Sequence, residues 1–219
     1  TYFTPDTVDA RALAMKQAVL GAQHIDRFIF DPQSSALLVL DMQVYFLEPA
    51  SHACIPSASA ILPRLCRLAA VFTARRLPVI YTRHVNSADN ASLMASWWRD
   101  LIRNDSPLSQ VAPQFDLSHG RVLDKSQYDA FFQTELEMIL RSQGISQVVI
   151  AGVMTHLCCE TTARSAFIRG FEVFFLVDGT ATYTEAHHRA SLLNLAHGFA
   201  EMKLVQEILD GLPEVPAHA

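Results

Sequence analysis

Cysteine is scarce in this chain of 219 residues, and the four that occur are Cys54, Cys66, Cys158 and Cys159. Zinc sites and disulfide frameworks depend on characteristic cysteine spacings, and these four residues follow none of them. The sequence therefore predicts neither, and no cofactor is expected. Because unpaired thiols are typical of a reducing compartment, we expect a cytoplasmic protein.

Long apolar runs and concentrated charge are also missing. The longest apolar runs, near Ala36–Leu40 and Phe171–Val177, have the length of a strand, whereas a membrane span needs roughly 18 residues. The N-terminus lacks the order of charged, apolar and small residues that marks a signal peptide. The net charge is -5, and no run of lysine and arginine occurs. Neither a membrane nor a nucleic acid is therefore an expected partner.

Hydrophobic residues make up 50% of the chain, which is enough for a sizeable core and a single domain over residues 1–219. Short apolar runs alternate with segments of helical period, and this predicts an α/β protein with three layers and a mainly parallel sheet. The predicted strands cover 35–40, 79–82, 121–123, 146–151, 171–177 and 200–205. The predicted helices include 7–23, 58–76, 129–143, 155–169 and 185–197.

Reactive side chains follow the predicted strands at their carboxyl ends. Asp41 follows the first strand, Lys125 the third, and Cys158 lies shortly after the fourth. Ligands bind at this edge of open parallel sheets, so we expect the three groups to converge. A helix N-terminus and Lys125 would lower the thiol pKa, and Asp41 would accept its proton. Considered singly, each residue is more often explained by packing, capping or a solvated charge, and their joint placement leaves both interpretations about equally open.

Three ordered motifs resemble those of the isochorismatase-like cysteine hydrolases. Residues 151–164, AGVMTHLCCETTAR, are similar to the nucleophile motif Gly-Val-x-Thr-x-x-Cys-x-x-x-Thr-Ala-Arg, which falls on Cys158. Residues 38–43, LVLDMQ, resemble the first-strand motif with its acid/base at Asp41, and residues 123–131, LDKSQYDAF, the lysine motif with Lys125. The resemblance covers roughly residues 35–210, with residues 1–34 as an N-terminal helical extension. It indicates the superfamily of isochorismatases, N-carbamoylsarcosine amidohydrolases and nicotinamidases.

The resemblance implies specific features of fold and mechanism. It implies a six-stranded sheet in the order 3-2-1-4-5-6, a cis peptide between Val153 and Met154, and an oxyanion hole formed by the amides of Met154 and Cys158. Cys158 would attack an amide, carbamoyl or ureido carbonyl and form a thioester, with Asp41 transferring the protons. The implied partners are a small-molecule substrate and further copies of the chain, in a dimer or tetramer. Cys159 stands where these hydrolases have Val and is predicted to pack in the core.

The long irregular segment 83–120 is predicted to overlie the site, as functional connections often do. The residues predicted to line the substrate pocket are Gln43, Phe46, His84, Trp97, Trp98, Tyr128 and His156. The two tryptophans are equally consistent with packing of the lid or a subunit contact. His187 and His188 are predicted to lie at the surface or at an interface.

Departures from two branches of the superfamily narrow the expected activity. Isochorismatases cleave a vinyl ether by proton donation and generally have Gly at the position of Cys158. Nicotinamidases have a metal site that includes an Asp-x-His motif, whose two positions hold His84 and Asn86 here, so no metal is predicted. We expect a cysteine-dependent hydrolase of a small amide, carbamoyl or ureido compound. The alternatives are a vinyl-ether hydrolase with Asp41 as the acid and a catalytically silent binding module.

Overall fold

A parallel sheet forms the centre of the protein. The computed structural model describes residues 1–20 and 26–213. The strands in this part of the chain are β1 (Ser35–Leu40), β2 (Val79–His84), β3 (Arg121–Lys125), β4 (Gln147–Val153), β5 (Glu172–Ala181) and β6 (Glu201–Lys203). They pair in parallel in the order β3-β2-β1-β4-β5-β6, which confirms the predicted fold class and strand order.

Helices flank this sheet. They are α1 (Val8–Leu20), α2 (Val44–Leu47), α3 (Ala58–Ala74), α4 (Met94–Trp97), α5 (Leu136–Ser142), α6 (Glu160–Ile168), α7 (Glu185–Gly198) and α8 (Val205–Asp210). Every residue of β1 and of β4 is buried. Because successive side chains of a strand point to opposite faces, both faces of the central strands are covered, as in other parallel sheets.

Most predicted elements differ from the structure by a few residues at their ends, and two of these differences have a clear cause. The predicted helix 129–143 is helical only from Leu136, because the Asp129 carboxylate accepts the backbone N–H of Phe131 and holds a turn there. The fifth strand was predicted to stop before Asp178, but β5 continues through it to Ala181. Asp178 is buried and forms an ion pair with Arg64 at 2.7 Å, so it stabilises the fold and does not mark the end of the strand.

The first helix begins at Val8, one residue after its predicted start, and its predicted end at residue 23 lies outside the described residues, as does the proline-containing tail from residue 214. Among the helices that the structure describes, none combines the length and the apolar character needed to cross a membrane.

Candidate active site

Asp41, Lys125 and Cys158 meet at the carboxyl edge of the sheet. Asp41 directly follows β1, Lys125 is the last residue of β3, and Cys158 lies in a π-helical turn, Thr155–Cys159, after β4. Lys125 Nζ lies 2.7 Å from Asp41 Oδ2 and 3.3 Å from Cys158 Sγ. All three side chains are buried, so a carboxylate, an ammonium group and a thiol contact one another away from bulk water.

Thr82 holds the Asp41 carboxylate. The Thr82 hydroxyl donates to Asp41 Oδ1 at 2.6 Å and accepts the Asp41 backbone N–H at 3.1 Å. Sequence reasoning missed this residue, although a threonine near the end of the second strand was a usable signal. Because β1 pairs with β2, such a hydroxyl reaches the group that follows β1.

The ammonium group of Lys125 has two further partners. It donates to the backbone carbonyl of Gln127 at 2.9 Å, and His84 Nδ1 lies 3.3 Å from it. The register of the sheet explains the second contact, because His84 and Lys125 are paired directly across β2 and β3. His84 in turn faces Asn86, with His84 Nε2 at 2.8 Å from Asn86 Oδ1.

Burial and charge set the protonation of the three central groups. Burial opposes the charge on Asp41 and on Lys125, but each stabilises the other, so the pKa of Asp41 is lowered and that of Lys125 is raised. Burial and then the Asp41 charge raise the pKa of Cys158 to about 12, against the opposing effect of Lys125. The resting site therefore holds a carboxylate, an ammonium group and a neutral thiol.

This protonation state corrects the expectation of a thiolate stabilised at a helix N-terminus. Cys158 sits in a π-helical turn ahead of α6 and is buried beside the Asp41–Lys125 pair and His84. The negative carboxylate and the loss of hydration outweigh the nearby ammonium group. Ionisation of the thiol therefore needs a base, and Asp41 is the group in position to act as one.

The backbone around Cys158 is closely packed. The peptide bond between Val153 and Met154 is cis, at the step that the family resemblance implied. Gly152 has a φ of 112°, and a Cβ there would lie 2.0 Å from the carbonyl oxygen of Leu40, so only glycine fits. Cys159 is fully buried in the hydrophobic core, which confirms its predicted location.

A cavity that opens to the surface is lined at one end by Cys158. Aromatic and apolar side chains supply most of its walls, and His84, Asn86 and Cys158 supply polar atoms at its base. The wall residues are Tyr45, Phe46, Ala53, Met94, Trp98, Leu101, Ile102, Tyr128, Met154 and Tyr183. Asp100 and His52 complete the lining, and the described part of the chain contributes neither lysine nor arginine to it.

Of the seven residues predicted to line the pocket, Phe46, His84, Trp98 and Tyr128 line this cavity. Trp98 and Tyr128 are joined, since the indole N–H donates to the tyrosine hydroxyl at 2.8 Å. Trp97 does not line it, because its side chain points to solvent and is 78% exposed.

Gln43 and His156 also lie outside the cavity lining. The side chain of Gln43 is buried and bonded to both backbone groups of His84, at 2.9 Å and 3.1 Å, so it supports that residue from behind. His156 Nδ1 lies 2.7 Å from Thr182 Oγ1, and its ring stacks on His187. The lining residue Asp100 was missed, although an acidic residue beside the paired tryptophans was a signal for a polar group in the lid.

The two consecutive histidines of α7 have different environments. His187 is exposed, as predicted, but His188 is fully buried, which corrects the prediction of a surface position. His188 Nδ1 lies 2.9 Å from Thr155 Oγ1, and burial lowers the pKa of His188 to about 3. A neutral His188 thus supports the first residue of the turn that carries Cys158.

A metal ion does not fit the residues present at this site. Asp41, His84 and Cys158 offer ligand atoms within 4.8 Å of one another. Lys125 Nζ, however, lies within 3.3 Å of all three residues and takes the place that a cation would need. Cysteine binds a metal ion as the thiolate, whereas the raised pKa keeps the Cys158 thiol protonated.

Comparison with known proteins agrees with the fold and gives the family. The Isochorismatase domain matches residues 35–207. The chain is 40% identical over 179 residues to Nicotinamidase 3 of Arabidopsis thaliana, covering 78% of this chain and 85% of that protein.

Solved structures show the same architecture. A cysteine hydrolase from Pseudomonas syringae pv. phaseolicola 1448A superposes with a TM-score of 0.82 at 25% identity, covering 87% of this chain and 97% of the other. The pyrazinamidase of Pyrococcus horikoshii in complex with zinc superposes with a TM-score of 0.71 at 25% identity, covering 78% and 99%.

The fold and the site are those of a hydrolase that has a parallel sheet between layers of helices and a buried cysteine. The chain belongs to the isochorismatase family, in agreement with the resemblance seen in its motifs. It is a nicotinamidase/isochorismatase-family hydrolase. The missing Asp-x-His motif therefore bears on the metal site and gives no reason to separate the chain from its nicotinamidase relatives.

Proposed function

We propose that this protein is a cysteine-dependent hydrolase of a small uncharged amide that acts through a thioester. One observation carries the proposal: the Cys158 thiol lines a mostly apolar cavity and contacts Lys125, which is itself paired with Asp41. A nucleophile, a base and a fixed positive charge are the parts that acyl transfer needs.

The first half of the reaction starts from the neutral thiol. As sulfur attacks the carbonyl carbon, Asp41 takes the thiol proton, and Lys125 stabilises the negative charge that develops on sulfur. The carbonyl electrons move to oxygen, which the backbone amides of Met154 and Cys158 would bind as an oxyanion. When the tetrahedral intermediate collapses, the carbon–nitrogen bond breaks, and Asp41 returns its proton to the leaving amine.

The second half repeats the same steps with water. Asp41 takes a proton from a water molecule as the water oxygen attacks the thioester carbon. The carbon–sulfur bond then breaks, the acid product leaves, and Asp41 returns the proton to the Cys158 sulfur. No cofactor is required at either half, and Lys125 keeps its charge throughout.

The cavity lining supports an uncharged substrate. Its walls are aromatic and apolar, Asp100 is its negative group, and no lysine or arginine of the described chain faces it. The positive charge of Lys125 at the base is already paired with Asp41. Isochorismate has two carboxylates, which would meet no cation here, so the vinyl-ether alternative is disfavoured. The similarity to a protein named Nicotinamidase 3 makes aromatic primary amides such as nicotinamide the first substrates to test.

The test is release of ammonia from a panel of neutral amides, with carbamoyl and ureido compounds included. Replacing Cys158 with Ala should abolish turnover, and brief acid quenching of the native enzyme should trap an acyl group on the Cys158 peptide. Cys159→Ala, one residue away in the core, is the matched control and should retain activity. Isochorismate cleavage that survives Cys158→Ala would contradict the proposal. Absence of turnover with every compound would favour the binding module.

A further inference from the structure

His84 has side-chain contacts with Asn86 and Lys125, and the neighbours of these two residues decide which partner donates and which accepts. His84 Nε2 lies 2.8 Å from Asn86 Oδ1, and His84 Nδ1 lies 3.3 Å from Lys125 Nζ. The Gln127 backbone carbonyl, which accepts from Lys125 at 2.9 Å, also lies near the ring. A neutral imidazole has one N–H donor and one lone-pair acceptor. The position of the single ring proton therefore decides what His84 offers to Lys125.

A backbone carbonyl fixes this choice. Asn86 Nδ2 donates to the carbonyl oxygen of Ser126 at 3.0 Å, and a carbonyl oxygen can only accept. The amide oxygen of Asn86 must then face His84, so the ring proton is on Nε2 and is donated to Asn86. The lone pair on Nδ1 is left facing Lys125 and accepts from its ammonium group.

The surroundings keep the ring in place and uncharged. Gln43 accepts the backbone N–H of His84 and donates to its carbonyl oxygen, so the residue cannot easily shift. Burial, and then the charge of Lys125, lower the pKa of His84 to about 4. A second positive charge 3.3 Å from the ammonium group is therefore avoided near neutral pH.

The three N–H groups of Lys125 have four acceptors around them. Asp41 Oδ2 at 2.7 Å and the Gln127 carbonyl at 2.9 Å are the short contacts. The remaining N–H is shared by His84 Nδ1 and Cys158 Sγ, each at 3.3 Å. A neutral acceptor competes weakly with an anion for a charged donor, so this N–H can turn to the sulfur as negative charge develops there.

We infer that His84 and Asn86 are positioning residues: Asn86 fixes the tautomer of His84, and the His84 lone pair aims the Lys125 ammonium group between Asp41 and Cys158. His84 and Asn86 thus affect the reaction by orienting the Lys125 ammonium group, and this role needs no metal ion. The inference rests on the proposed function only for its kinetic consequence, since the tautomer is a property of the folded chain.

Long-range proton–nitrogen NMR of the uniformly ¹⁵N-labelled protein reads each imidazole nitrogen directly. At pH 7 the signals that disappear in His84→Gln should show a protonated Nε2 and an unprotonated Nδ1. Asn86→Leu removes the acceptor and should give a mixture of tautomers. Asn86→Asp places a carboxylate at Nε2 and should shift the ring towards the doubly protonated form. A proton on Nδ1 of the native ring at pH 7, alone or with one on Nε2, would overturn the inference.

Kinetics with the amide substrate provide the second measurement. Asn86→Leu should lower kcat at least about tenfold and by more than it raises KM, because Lys125 is less well aimed in the transition state. Asn194→Leu, the same substitution at an exposed position of α7, should match the native enzyme. An unchanged kcat in Asn86→Leu would also overturn the inference.

If the native enzyme turns over no amide, the proposed function fails, and the NMR result still decides the tautomer. Should Asn86→Leu fail to fold, the native protein and Asn86→Asp still give the spectra that test it.

Discussion

Thr82 and Asp41 are joined by two hydrogen bonds in opposite directions, from hydroxyl to carboxylate at 2.6 Å and from backbone N–H to hydroxyl at 3.1 Å. The other carboxylate oxygen faces Lys125 at 2.7 Å. One oxygen of the proposed acid/base is thus held by a neutral donor and the other by a charged one. The charge of Lys125 lowers the pKa of Asp41, and a donor such as the Thr82 hydroxyl also favours the ionised carboxylate.

Replacing Thr82 with Val should raise the pKa of Asp41, because the carboxylate loses a donor that stabilises its charge. The acid limb of kcat/KM should move to higher pH. Because the pKa of Asp41 is lower in the folded than in the unfolded protein, its carboxylate stabilises the fold at pH values above its unfolded pKa. This stabilisation is lost as the pH falls through its folded pKa. We therefore expect a stability loss on the order of 1–3 kcal/mol near neutral pH, measured by denaturant unfolding.

Thr180→Val is the matched control for this change. Thr180 is equally buried and donates to the Leu176 carbonyl, away from Asp41. It should lose comparable stability and keep the pH profile of the native enzyme. An acid limb that stays in place in Thr82→Val would show that the hydroxyl does not tune Asp41.

The raised pKa of Cys158 leads to an unusual expectation for Asp41→Asn. Removing the carboxylate takes away a negative charge that opposes the thiolate and leaves Lys125 free to stabilise it. Alkylation of Cys158 by iodoacetamide at pH 7 should therefore be slow in the native enzyme and at least about tenfold faster in Asp41→Asn. Turnover should nevertheless be lost, because the base is missing.

Peptide mapping after alkylation separates the two neighbouring cysteines. Cys159 should remain unlabelled in both proteins, since burial raises its pKa well above the usual value. Lys125→Ala should label more slowly than the native enzyme. Rapid labelling of native Cys158 at pH 7 would mean that the thiolate is already present at rest, and the role given to Asp41 in forming it would then be wrong.

The arrangement of the strands and the meeting of Asp41, Lys125 and Cys158 were predictable from the sequence. The order of the strands was implied by the family resemblance. Asp41 and Cys158 come after apolar runs of strand length, Lys125 comes after the shorter run Val122-Leu123, and parallel strands bring their carboxyl ends to one edge. This reasoning failed at Asp178, where a buried ion pair with Arg64 lets the strand continue. Partners that come from distant parts of the chain leave no local sequence signal.

The protonation of the site was not predictable for a related reason. A cysteine after a strand suggests a lowered pKa, but the outcome depends on the depth of burial and on the distance to Asp41. The role of Gln43 is similar, because its side chain meets the His84 backbone only once β1 and β2 have paired. The positions of residues along the sequence identified the members of the site. The packing of neighbouring strands determines their protonation and their contacts.

Chelation should leave the activity of this enzyme intact. Lys125 occupies the space between Asp41, His84 and Cys158, so no ion is needed to organise them. After dialysis against EDTA, metal analysis should find much less than one equivalent of bound ion, and amide turnover should stay within about twofold of the untreated enzyme, well inside the 10- to 100-fold loss that damage to a metal site causes. Activity that is lost on chelation and restored by zinc would contradict this account of the site.

Asp100 should make the cavity select against negative charge. Its carboxylate lines the cavity, accepts a hydrogen bond from the Tyr45 hydroxyl and lies 3.5 Å from His52 Nε2. An amide that bears a carboxylate should therefore have a higher KM than its neutral parent. Asp100→Asn should reduce the difference in KM between the anionic and the neutral amide several-fold. Added salt should reduce the same difference in the native enzyme, because the Asp100 carboxylate is partly exposed and is screened by ions.

Asp105→Asn is the matched control for Asp100→Asn. Asp105 is an exposed carboxylate in the same segment, paired with Arg103 at 3.5 Å, and it does not line the cavity. This variant changes the net charge of the protein by the same amount, so a general electrostatic effect would appear equally in both. If both variants change KM for the anionic amide by the same factor, Asp100 is not the residue that selects against negatively charged substrates. If only Asp100→Asn does so, the carboxylate at the cavity wall sets the charge of the accepted substrate.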